Sequence, residues 1–90
     1  MSEIDSILAE RNTRYGKFAT QAQTTQLMKD AMRGNLGWDR LTADQKEALD
    51  MLVHKAVRVI NGDPNYVDSW DDMQGYSKLI SDRLRKEGYK

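Results

Sequence analysis

Apolar positions recur at helical spacing along most of the chain. Ile4, Ile7 and Leu8 form the stripe of a short first helix, expected over residues 3–12. Gly16 interrupts the pattern in "TRYGKF" and Phe18 restarts it, so a second helix is expected over residues 17–33. Phe18, Ala22, Thr25, Met28 and Met32 share its apolar face, flanked by Leu27 and Ala31, although "TQAQTTQ" weakens the stripe. "GNLGWD" reads as a loop whose Trp38 can plug the edge of a core.

The pattern is clearest in the third helix. Thr42 and Gln45 in "TADQ" form a capping box, which starts the helix at Ala43. Leu49, Leu52, Val53, Ala56, Val59 and Ile60, widened by Met51 and Val57, give it a broad apolar face suited to a central position. It should end at Asn61, with Gly62 in the left-handed C′ position and Pro64 preventing continuation. The fourth helix is expected from Asp68 to just before Gly88, with Trp70, Met73, Tyr76, Leu79, Ile80 and Leu84 inward. Its acids lie at the start and Arg83, Arg85 and Lys86 at the end, as the helix dipole favours. Asp68 suits the N-cap and Asp71 the N3 position. Gly75 suits a close helix approach. The predicted fold class is all-α: a small four-helix bundle with a central antiparallel hairpin, one domain over residues 1–90.

Composition narrows the class. With 90 residues and no cysteine, neither a disulfide framework nor a thiolate metal site is available, and self-association is the common remedy for so small a core. Trp38 or the Met28/Met32 side of the second helix is the expected contact. Fourteen basic and fourteen acidic side chains cancel, which argues against a whole-surface footprint for nucleic acid but leaves room for a local basic patch; no DNA partner is expected. No stretch has the length and apolarity of a membrane span and "MSEIDSILAERN" lacks the apolar run of a signal peptide, so a soluble, cytoplasmic protein is expected.

The candidate chemistry lies in two places. "NGDPNYVDSWDDMQGY" holds Asp63, Asp68, Asp71 and Asp72. Asp68 and Asp72, at i and i+4, could be a magnesium pair, or a helix start plus an ion pair to Arg58; the second reading is preferred. A connection of about six residues makes helices three and four antiparallel neighbours. Counting back from the turn brings Asp72 near Arg58 and sets Glu47 and Asp50 opposite residues 79–83. Asp63 opens no calcium loop, because Val67 stands where an oxygen ligand is needed. Lys55 and Arg58 could bind phosphate. Arg11, Arg14 and Lys17 surround Tyr15, an arrangement suited to stacking a base beside cations. His54, the only histidine, is expected to hydrogen-bond Tyr76 or Asp50, or to act as a base.

"ILAERNTRYGKF", "LGWDRLT" and "EALDMLVHKAVRVINGDPNYVDSWDDMQGYSKL" together resemble a family of small, mostly phage-encoded proteins of unknown function. The helix hairpin is also similar to a broader nucleotide-modification group, and through it to MazG-like all-α nucleoside triphosphate pyrophosphohydrolases. That resemblance implies magnesium held by carboxylates in Glu-Glu-x-x-Glu and Glu-x-x-Asp patterns on neighbouring helices. The first pattern falls on Asp50, Met51 and His54, where only Asp50 is an acid. The second falls on Asp68 to Asp71, or half-fits at Asp72 with Ser69 in the glutamate place. The candidate metal ligands are therefore Asp50, Asp68 and Asp72. The expected function is a phage-type, anti-defence accessory protein that binds a nucleotide or cyclic nucleotide through Lys55, Arg58, Tyr15, Arg11, Arg14 and His54. Two alternatives stand beside it: a magnesium-dependent pyrophosphohydrolase, and an interaction module that inhibits a host protein.

Overall fold

The computed structural model describes residues 2–90 and is all-helical over them. The helices are α1 (Glu3–Tyr15), α2 (Phe18–Arg33), α3 (Ala43–Asn61) and α4 (Val67–Lys86), with a 3₁₀ turn at Trp38–Arg40 before α3. α1 ends three residues later than its expected bound at residue 12. Ser2 caps it by accepting the Asp5 N–H, and Gly16, at φ 78°, ends it. α3 has the predicted bounds, and the Gln45 side-chain oxygen accepts the Thr42 N–H at 3.0 Å, the return arm of its capping box.

The start of α4 differs from expectation. Tyr66 is the N-cap residue, without a side-chain cap bond, and Asp68 is the second residue of the helix. The turn is built instead by Asp63, whose carboxylate accepts the Asn65 N–H at 2.9 Å and whose carbonyl accepts the Tyr66 N–H at 3.3 Å. Trp70 then reaches back and donates its indole N–H to the Pro64 carbonyl at 2.9 Å, which leaves it 51% exposed rather than inward. Leu79 is also exposed, and a Cβ at Gly75 would meet no atom within 4 Å, so that glycine serves no close approach.

α3 is the central element. α2 packs along one side of it and α4 along the other, and these two outer helices share no comparable seam with each other. The three form a layer in which α2 and α4 both run antiparallel to α3. Small and polar side chains occupy the seams: Gln21, Thr25, Ala48, Val57 and Ser69 are buried. Lys55 pairs with Asp72 at 2.9 Å, and Arg83 binds both Asp44 and Thr42 across the far end of the hairpin. On the other side Arg33 approaches Asp50 at 3.5 Å. Asp50 therefore faces α2 rather than residues 79–83.

The two turns at the other end of the layer are tied together. The Asn61 side-chain amide donates to the carbonyls of Tyr15 and Lys17 at 3.0 and 3.1 Å, and the Asp63 N–H donates to the Arg14 carbonyl at 2.7 Å. Gly62 is not left-handed (φ −125°). Its role is steric, since a Cβ there would lie 2.1 Å from the Arg14 carbonyl oxygen and 2.4 Å from the Tyr15 Cα. Gly16 meets Asn61 from the opposite side in the same way.

At about 100° per residue, Leu49, Leu52, Ala56 and Ile60 share one sector of α3, while Asp50, His54 and Arg58 share a sector roughly opposite. The layer thus has an apolar face and a polar one.

Candidate functional site: a cation–aromatic cluster on the polar face

The corner tie brings the end of α1 and the α3–α4 turn beside Arg58. The guanidinium of Arg58 lies 4.3 Å from the centre of the Tyr15 ring. Tyr66 meets Tyr15 edge-on, with ring centres 6.0 Å apart at 75°. Arg11 lies over the Tyr15 ring at 5.8 Å, and Arg14 over the Tyr66 ring at 5.1 Å. Such contacts contribute about 0.5–1 kcal/mol each when exposed and more when desolvated. Arg58 is the desolvated member: its Nε is enclosed and has no hydrogen-bond acceptor.

His54 lies one turn before Arg58 on the same side of α3. Its pKa is held below the ordinary value of 6.5, first by burial and then by the positive charges of Arg58, Lys29, Lys55 and Arg11. A single imidazole thus senses four cations. Among the described residues no carboxylate lies within 4.0 Å of Arg11, Lys29 or Arg58. The hydrogen bonds expected from His54 to Tyr76 or Asp50 do not form.

The expected nucleotide-binding residues are therefore split. Tyr15, Arg11, Arg58 and His54 come together. Arg14 joins through Tyr66 but also pairs with Glu10 at 2.6 Å. Lys55 turns toward α4 and is taken by Asp72. The predicted Asp72–Arg58 pair is thus replaced by Asp72–Lys55, because Arg58 turns to the Tyr15 ring. Phe18, expected on the apolar face of α2, is 75% exposed. Two members were not anticipated. Tyr66 shows no periodicity signal, and Lys29 lies on the polar edge of α2, whose register against α3 is not encoded in local spacing.

The three candidate magnesium ligands do not converge. Asp50 lies by Arg33, with its Oδ1 enclosed and unpaired. Asp72 pairs with Lys55, and Asp68 accepts the Tyr66 hydroxyl at 3.1 Å, a bond that raises the Tyr66 pKa. Among the described residues no group of three or more His, Cys, Asp or Glu side chains is placed to hold a metal ion. In this arrangement the aspartates do not fit a magnesium cage.

No family model, curated protein or solved structure matches the chain. No helix among the described residues is long and apolar enough to cross a membrane.

Proposed function

We propose that this chain is a phage-type accessory protein that binds a nucleotide, or a nucleotide-derived signal such as a cyclic nucleotide, at the Tyr15–Arg58 cluster and sequesters it without turnover. The observation that carries this reading is that Arg11 and Arg58 both lie over the Tyr15 ring and, with Lys29, place positive charge at His54, with no carboxylate among the described residues within 4.0 Å of any of the three. Cations without counter-charges repel one another, and an anionic ligand relieves that repulsion. Guanidinium groups suit phosphate oxygens through paired N–H donors, and the tyrosine edges and faces suit a base. His54 adds a hydrogen-bonding group beside these cations, and a phosphate nearby favours its protonation. The resemblance to nucleotide-handling families, and a cytoplasmic setting in an infected host, belong to the same proposal.

The separation of Asp50, Asp68 and Asp72 supports binding without turnover. Titration calorimetry against nucleoside mono-, di- and triphosphates and cyclic dinucleotides, with magnesium and with chelator, tests both parts. Binding is expected with or without magnesium, weakened at least about tenfold in Arg58→Gln, the loss of one charged hydrogen-bonding group. No binding by any of these ligands overturns the proposal. Magnesium-dependent release of pyrophosphate overturns sequestration and restores the hydrolase.

A further inference from the structure

The face of the layer opposite the cation cluster is an open apolar groove. Leu41, Leu49, Leu52 and Ile80 line a 300 Å³ depression between α3 and α4. Leu41 and Leu49 continue it into a second depression, of 450 Å³, that runs to Trp38 and Met32 on α2. Leu27 and Ile60, at 65% and 74% exposure, extend apolar surface on α2 and α3.

A layer of helices is stable when its apolar face is buried against another layer. This chain lacks the second layer. Only Ala48 and Val57 among its described apolar residues are buried. Its accessible surface is 6700 Å², whereas a folded monomer of 10.4 kDa exposes about 5,400 Å². The excess of about 1,300 Å² is more than the roughly 800 Å² that each partner buries in a standard interface. We infer that a second copy of this chain covers the groove, the two layers packing face to face about a two-fold axis near Leu49 and Leu52. A second copy suits the site because it brings an equally apolar, equally uncovered groove, so one contact satisfies both. The cation clusters then lie on the two outer surfaces of the dimer, clear of the interface.

Sedimentation equilibrium from about 0.1 to about 100 µM, the span of modest interfaces, tests this. A mass twice the 10.4 kDa chain is expected at the upper end. Leu49→Glu places an unpaired charge in the groove and should weaken association by about 100-fold or more. Leu79→Glu, on an exposed part of α4 outside the groove, should leave it unchanged. A second measurement guards against a variant that fails to fold. Trp38 borders the groove, so wild-type tryptophan emission should move to longer wavelength on dilution through the dissociation range. A monomer at every concentration overturns the inference. So does a dimer sensitive to Leu79→Glu but not to Leu49→Glu, or emission that ignores dissociation.

Discussion

At the scale of single residues, acids that look alike in sequence do different work. Asp63 folds the turn, Asp68 meets a tyrosine hydroxyl, and Asp72 holds Lys55. Only the first governs where α4 begins, which is why an N-cap reading of Asp68 misses by two residues. His54 carries the clearest pH consequence. Its pKa is lower in the folded chain than the ordinary 6.5, so below that value the unfolded chain binds the proton more readily. The sign follows: the contribution of His54 is fully present above pH 6.5 and is lost as pH falls through the folded-state pKa. Thermal melts of wild type should decline over that acid range, and His54→Gln should flatten part of the decline. A variant with an unchanged acid limb would show that His54 does not sense the cations. A bound phosphate offsets the positive field at the imidazole, so ligand binding near pH 6 should take up protons.

At the scale of elements, α3 was the most legible, because its capping box and broad apolar face act within the helix itself. The fold class and the antiparallel hairpin followed from the same local signals. Features set by another part of the chain were not legible. Gly62 looked like a left-handed cap, yet its smallness serves the backbone of Arg14 and Tyr15. Arg58 looked like the partner of Asp72, yet the Tyr15 ring at the end of α1 claims it. Tyr15 and its neighbouring arginines were legible because they lie within one or two turns of α1, whereas Lys29 and Tyr66 arrive through tertiary packing. Gly75 gives an element-scale test. Its φ is not positive and no atom lies within 4 Å of where its Cβ would be. Gly75→Ala should therefore stabilise α4 by about 0.5–1 kcal/mol, read as a higher melting temperature. A drop instead would reveal an unrecognised contact at that position.

At the scale of the molecule, the shape reflects incomplete burial. The radius of gyration is 15.6 Å, against about 12 Å for a compact chain of this length, and the long axis of 53 Å greatly exceeds the roughly 30 Å of a twenty-residue helix. α1 contributes no buried residue, so its own helical propensity and the corner tie must hold it. That tie is non-local: the Asn61 amide binds carbonyls 46 and 44 residues earlier in the chain. Its closure waits on the packing of α2 against α3, whereas the α3–α4 hairpin closes over a few residues. The corner is therefore expected to form late in folding, after the rate-limiting barrier. In chevron measurements Asn61→Ala should speed unfolding several-fold and leave the folding limb nearly unchanged, a φ-value near zero. A slowed folding limb would place the corner in the nucleus instead. The lifetime of the assembled cation–aromatic cluster is thus tied to how often this corner, held by Asn61 and the Asp63 N–H, lets go.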